Sequence, residues 1–272
     1  MIQKIVSNIA LGFKGILTNK HLKKNQKFFL LIDYFKLIGQ LFLVYFFGKK
    51  ISVIKINSFK YTIYFENYIT FFYIFNEIFC KEVYNPFLIK NYYDLGANIG
   101  LSVLWYKFFN PSLDIHSFEP NPKIYKYLIK NIKRNHLTNV FTYSVALSDK
   151  KGTSKFYAIK DNIQCLDSGL VLNQKLPYKS FDVKTEKLSG YINKKIDLLK
   201  IDIEGGEYKV FKDLFATKKI KYIKKIIFEA HFFNQQEKEI LKKLIIKLQK
   251  IGYIKQLENS SYTKVYSFYS NK

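Results

Sequence analysis

The rhythm of apolar and polar positions changes along the chain and divides it into a helical, aromatic N-terminal part and an alternating remainder. Residues 28–47 (FFLLIDYFKLIGQLFLVYFF) are apolar at 16 of 20 positions, broken by Asp33, Lys36, Gly39 and Gln40, and predict one helix. A charged residue near the centre of a spanning helix costs about 2.5–3.5 kcal/mol, against gains of about 0.3–0.6 per aliphatic residue or Phe, so a bilayer-crossing segment gains almost nothing. A buried helix, or one lying on a membrane surface, fits the composition better. Residues 51–56 and 59–65 alternate and are rich in β-branched and aromatic side chains, which predicts a hairpin turning at Asn57-Ser58. Residues 68–83 predict an aromatic helix stopped by Asn85-Pro86. Residues 1–90 thus form a region distinct from the rest of the chain.

From residue 91 onward, short apolar runs alternate with helical patterns. Strands are expected at 91–95, 113–118, 139–145, 197–202 and 223–230, with helices at 99–109, 121–135 and 206–216. A further helix at 235–250 carries an apolar stripe at 240, 241, 244, 245, 248 and 251. Residues 252–257 and 263–269 read as a closing hairpin around Asn259-Ser260-Ser261. Residues 151–195 are polar and predict an insertion with a short strand at 154–159. This order of elements is that of an α/β doubly wound sheet.

Composition modifies the picture only in part. The formal charge of +24 suggests a polyanion or an anionic membrane as partner. Arg134, however, is the only arginine among 45 basic residues, and lysine lacks the bidentate fork that reads phosphate and base edges. The wealth of Lys, Asn, Ile, Tyr and Phe also matches the bias of an AT-rich genome. Cys80 and Cys165 form no spaced pair, which points to a reducing compartment and to neither zinc nor a disulfide framework. The first 27 residues show no secretory signal pattern.

In open α/β sheets ligands gather beyond the carboxyl ends of the strands, so the polar residues there are the candidates. The first strand ends in Asp94-Leu95-Gly96-Ala97-Asn98-Ile99-Gly100, and the second in Glu119. Glycines allow close approach of backbone to ligand, and an acid after the second strand suits the hydroxyls of a ribose. An acid at position 94 would repel a pyrophosphate but tolerates a sulfonium and an amino group, which favours S-adenosylmethionine over a dinucleotide. The third strand ends near Ser148-Asp149. The fourth and fifth carry Asp202, Glu204 and Glu207, and Glu229 and His231. If the strands persist, Asp202 and Glu204 share one face, as do Glu229 and His231, and neighbouring strands would bring them to one pocket mouth. Such a cluster suits general-base removal of a hydroxyl proton. It also has the oxygen and nitrogen donors of a divalent-metal site, although no metal ligand is assigned. Glu207 reads as an acid charging the first turn of a helix, and His21, His116 and His136 as residues without a functional setting. No Pro-Pro-aromatic segment follows the fourth strand, and no cysteine ends a core strand, which argues against methylation of base nitrogen or pyrimidine carbon.

The ordered blocks YYDLGANIG, SFEPNPKIYKYLIKNIKRN, SVALSDKKG, LLKIDIEGGEYKVF and IIFEAH resemble the FkbM family of S-adenosylmethionine-dependent methyltransferases over roughly residues 60–255. The resemblance implies a class I methyltransferase fold of seven strands, the last antiparallel, and divides the chain into an N-terminal helical extension, 1–50, and a methyltransferase domain, 51–272. It implies that Asp94, Gly96, Asn98 and Gly100 form the first cofactor motif, that Glu119 holds the ribose, and that Ser148 and Asp149 hold the adenine end. Asp202, Glu204 and His231 are the expected catalytic residues, with Asp202 or His231 as base. The block Thr185-Glu186-Lys187-Leu188 stands where the family commonly has Thr-Leu-Asp-x-Leu on the acceptor side. The expected activity is O-methylation of a sugar in a surface glycan or glycolipid precursor, in the cytoplasm or at its membrane face. The rivals are an RNA methyltransferase, which the acidic mouth disfavours, and a non-catalytic membrane-associated member of a biosynthetic complex.

Overall fold

The computed structural model describes residues 2–80, 89–159, 178–231, 235–259 and 264–270, which form two compact units. The described residues of the first unit are 2–80, 98–111 and 126–138. It contains α1 (Ile2–Thr18), α2 (Lys24–Phe47), β1 (Val53–Ile56), β2 (Tyr61–Tyr64) and α3 (Tyr68–Phe75), which runs into one wide π turn at Asn76–Cys80. The predicted stop at Asn85-Pro86 lies outside the described residues. Helix α4 (Leu101–Phe109) and the second half of α5 (Pro122–Arg134) complete it.

Gly12 lets α1 and α2 approach closely, because a Cβ there would meet the Tyr34 hydroxyl at 2.0 Å. Aromatic rings fill the interior, with Phe79 at 5.3 Å and Phe59 at 6.0 Å from Trp105, centre to centre. The hairpin is held by side chains that mimic a strand. Asn131 Oδ1 accepts the Tyr64 N–H at 2.7 Å while its amide donates to the Tyr64 carbonyl at 3.0 Å, and Asn135 does the same for Thr62 at 2.8 and 2.9 Å. One helical turn separates the two asparagines, so both point to the same edge of β2.

The second unit is built on a seven-stranded sheet. Its strands are β3 (Asn91–Leu95), β4 (Asp114–Phe118), β5 (Val140–Tyr143), β9 (Ile196–Ile201), β10 (Ile223–Glu229), β11 (Tyr253–Asn259) and β12 (Lys264–Ser270). They lie in the order β11-β12-β10-β9-β3-β4-β5, and β12 runs antiparallel to both neighbours, as the resemblance implies. The predicted strands and helices are all present within a few residues, α6 (Glu207–Ala216) and α7 (Gln235–Lys250) included. The core runs of β3, β9 and β10 are almost continuously buried, as strands covered on both faces must be. Strand order reverses between β3 and β9, which opens the crevice where such sheets bind ligands.

The insertion departs from expectation. Strand β7 (Gly152–Ile159) pairs with a nine-residue β8 (Tyr178–Glu186), and the short β6 (Ala146–Leu147) joins them in a separate three-stranded sheet. Phe181, Val183 and Thr185 of β8 alternate with Asp182, Lys184 and Glu186, and of these Val183 and Thr185 are buried, a signal that could have found the strand.

Candidate active site

The buried end of β3 and the end of β9 are joined through one lysine. Lys200 lies inside an apolar strand and is itself buried. Its Nζ is 3.3 Å from Asp94 Oδ1 and 3.3 Å from Asp202 Oδ2, and it donates to the Gly96 carbonyl at 3.1 Å. Burial alone would drive off its proton, but the charges of Asp202 and Asp94 outweigh it and raise its pKa, so the ammonium stays charged. Gly96 can be nothing else. It has φ +82°, and a Cβ there would sit 1.8 Å from the Asp202 carbonyl oxygen.

The two acids of the fourth strand are not placed as strand alternation predicts. Strand β9 ends at Ile201, and the chain turns through Glu204 at φ +53° and Gly205 at φ +97°. A left-handed glutamate is strained, and this turn swings its carboxylate toward β10. His231 receives it. Its Nε2 is 3.1 Å from Glu204 and 3.5 Å from Glu229, while Nδ1 is 2.9 Å from Glu207. Convergence of the four groups thus arises through a turn, with Glu207 as the member that sequence reasoning set aside. Glu207 is fully buried and also accepts the N–H groups of Ile203 at 3.3 Å and Gly205 at 3.2 Å, so it supports turn and imidazole together.

This surrounding determines what His231 can do. Burial lowers the pKa of the ring, but hydrogen bonds to Glu207 and Glu229 and the charges of Glu204 and Glu207 push it up to about 12. In this cage the ring favours its protonated form, which leaves Asp202 as the freer of the two candidate bases. Asp202, Glu229 and His231 also offer ligand atoms within 4.8 Å of one another, and no metal is assigned to them.

Beside these groups the second unit has a small open recess walled by Phe118, Pro120, Val145, Ala146, Leu147 and Phe156 and faced by Gly96, Ile203 and Gly206. Its apolar walls suit a flat aromatic base. Glu119, just after β4 and between the wall residues Phe118 and Pro120, is buried, and its Oε1 accepts the Asn121 N–H at 2.8 Å. Ser148 is buried and donates to Asp149 at 3.3 Å. Asp149 is bound by Lys212 at 2.7 Å, which holds its pKa below the usual carboxylate range. Thr185 and Glu186 end β8, where the Glu186 carbonyl accepts the Ser148 N–H at 2.9 Å. Asn98 and Gly100 belong to the first unit. Asn98 has φ +49° with Oδ1 on the Ile99 N–H at 2.8 Å, and Gly100 at φ +89° caps α4.

Five carboxylates (Asp94, Asp202, Glu204, Glu207 and Glu229) face two cations, Lys200 and protonated His231, in the ion pairs of this cluster, a formal balance of −3. The basic chain therefore carries a net acidic cluster at these strand ends. Residues 94–255, more than half of the chain, match the methyltransferase FkbM domain. The chain belongs to the FkbM methyltransferase family. It is 27% identical over 178 residues to methyltransferase sdnD of Sordaria araneosa, which covers 52% of this chain and 67% of that protein. It is 26% identical over 166 residues to methyltransferase 1 of Beauveria bassiana, covering 52% and 66%. The crystal structure of an FkbM methyltransferase from Methylobacillus flagellatus superposes with a TM-score of 0.50 at 14% identity, over 70% of this chain and 46% of that one. This similarity establishes the class I methyltransferase fold. This FkbM chain spans about two thirds of the curated relatives and less than half of the solved enzyme.

Proposed function

We propose that this FkbM protein is an S-adenosylmethionine-dependent O-methyltransferase acting on a sugar hydroxyl of a glycan or glycolipid precursor, at the cytoplasmic side. The observation that carries the reading is the acidic cluster beside an apolar recess. Net negative charge favours a cofactor bearing a sulfonium and an ammonium, and a neutral hydroxyl acceptor over a phosphate-rich one. The donor set fits: Glu119 would bind the ribose hydroxyls, the recess walls the adenine, and the Gly96 turn the methionine end. When bound, S-adenosylmethionine supplies an activated methyl group.

The chain's own residues then have to orient an acceptor and take a proton. Asp202 is 26% exposed, which makes it the carboxylate that an acceptor reaches. As the acceptor oxygen gains a methyl group its O–H bond becomes acidic, so a carboxylate within hydrogen-bond reach is basic enough to receive the proton. Lys200 fixes Asp202 against Asp94, and the Glu204–His231–Glu207 chain fixes the turn beyond it. Alignment of the acceptor with the methyl group supplies much of the rate.

The test is a pair of substitutions assayed by methyl transfer to glycan precursors and by calorimetric titration. Glu119→Ala is expected to weaken cofactor binding, and Asp202→Ala to lower turnover while cofactor affinity is retained. Near-normal turnover in Asp202→Ala would sink the assignment of the base.

A further inference from the structure

Helix α2 has two apolar faces, and only one is covered. Leu30, Tyr34, Leu37 and Leu41 are buried in the first unit together with Asp33. The Asp33 carboxylate accepts the Ser58 N–H at 2.7 Å, and the Tyr68 hydroxyl donates to the Leu37 carbonyl at 2.7 Å, so polar bonds fasten this face as well. On the opposite side Phe28, Ile32, Phe35, Gly39, Phe42 and Phe46 follow the spacing of one helical stripe, and all are exposed. The five larger side chains of the stripe show 50% to 64% of their surface, and Phe29 and Phe47 extend it. Together they present on the order of 800 Å2 of apolar surface, more than the largest patch of an ordinary monomer.

The charge around the stripe says what covers it. Residues 1–65 contain 11 lysines, no arginine and one acid, Asp33, which is buried. Lys20, Lys23 and Lys24 lie at one end of the stripe, Lys49 and Lys50 at the other, and Lys36 along its edge, all exposed. A second copy of this chain would set like charges against like. Anionic lipid headgroups would pair with every one of them.

The geometry points to a membrane-docking face: α2 lies in the plane of an anionic bilayer surface, with its phenylalanine stripe at the acyl boundary and its lysines among the phosphates. The helix is long and apolar enough to cross a membrane. Crossing would nevertheless tear the inner face from the unit and leave Asp33 without the Ser58 N–H in hydrocarbon.

The test is flotation of the full chain with phosphatidylglycerol–phosphatidylcholine vesicles and with pure phosphatidylcholine, beside Phe35→Ser/Phe42→Ser. Both substituted side chains face water, so circular dichroism should show an unchanged fold. The parent is expected to float with the anionic vesicles, less at high salt, and the double variant to lose more than about tenfold in partitioning. The proposal is overturned if the parent stays at the bottom of the gradient or if the variant floats as well as the parent. A dimer that Phe35→Ser dissolves, without flotation, gives the face to a second copy. Phe42→Trp adds a depth readout: quenching by lipids brominated near the headgroup is expected, and strongest quenching from the chain ends overturns the in-plane orientation.

Discussion

Replacing Lys200 by methionine keeps the length of the side chain and removes its charge. In the parent, one ammonium lies 3.3 Å from Asp94 and 3.3 Å from Asp202 and donates to the Gly96 carbonyl at 3.1 Å. Asp94 is wholly buried, so the variant leaves a carboxylate without its counter-ion in a low-dielectric interior. Breaking such a buried pair costs about 3–5 kcal/mol. Asp202 is 26% exposed and partly screened by water, which favours the lower end, about 3 kcal/mol. For a domain of this size that corresponds to a Tm lower by roughly 6–12 °C. Urea denaturation followed by circular dichroism measures it, and the double variant Lys200→Met/Asp94→Asn supplies the control. Removing both charges should recover about 1–2 kcal/mol relative to simple addition, within the usual coupling of contacting residues. A single variant within about 0.5 kcal/mol of the parent, or strictly additive effects, would refute the account of Lys200 as the clamp of the site.

Gly96→Ala should cost about 3 kcal/mol or more, from the left-handed backbone and the clash with the Asp202 carbonyl, whereas Gly190→Ala, with open space around it, should stay within about 0.5 kcal/mol in the same denaturation assay. Asn131→Ala removes the clamp on the Tyr64 backbone and should cost about 2 kcal/mol by denaturation; a change below about 0.5 contradicts the strand-mimic reading. His231 should give imidazolium signals by NMR well above neutral pH, and a ring titrating near its ordinary value would contradict the carboxylate cage. Because its folded pKa, about 12, lies above the ordinary 6.5, its contribution to stability is complete below about pH 6.5 and declines as pH rises toward 12. The stability gap between the parent and His231→Gln should therefore narrow through the alkaline range.

The parallel strands were legible because their apolar runs are bounded by turns and separated by striped helices, as in β9 and β10. Helix α1 was not, since three positions of its buried face are Asn8, Gly12 and Ile16, and only the last is apolar. The Asn8 side chain is met by the amide of Asn76, which donates to its Oδ1 at 2.5 Å, a partner that no local pattern reveals. Strand β8 was passed over although Phe181, Val183 and Thr185 alternate with charged residues, because no residue of its first half is buried. At the site, Asp94, Gly96 and Glu119 stand out because turn chemistry and strand ends mark them. Lys200 carried a signal that could have been used: a lysine inside a fully buried strand requires a carboxylate partner, and two flank the strand ends beside it. Glu207 does charge a helix start, and its second role depends on a histidine 24 residues away.

The central claim is a cofactor site for S-adenosylmethionine in which Glu119 takes part, and calorimetric titration of the purified chain tests it most directly. The account predicts saturable binding of one S-adenosylmethionine per chain, weakened at least about tenfold, or 1.4 kcal/mol, by Glu119→Ala. No binding heat with the parent, or equal affinity in Glu119→Ala, would contradict it.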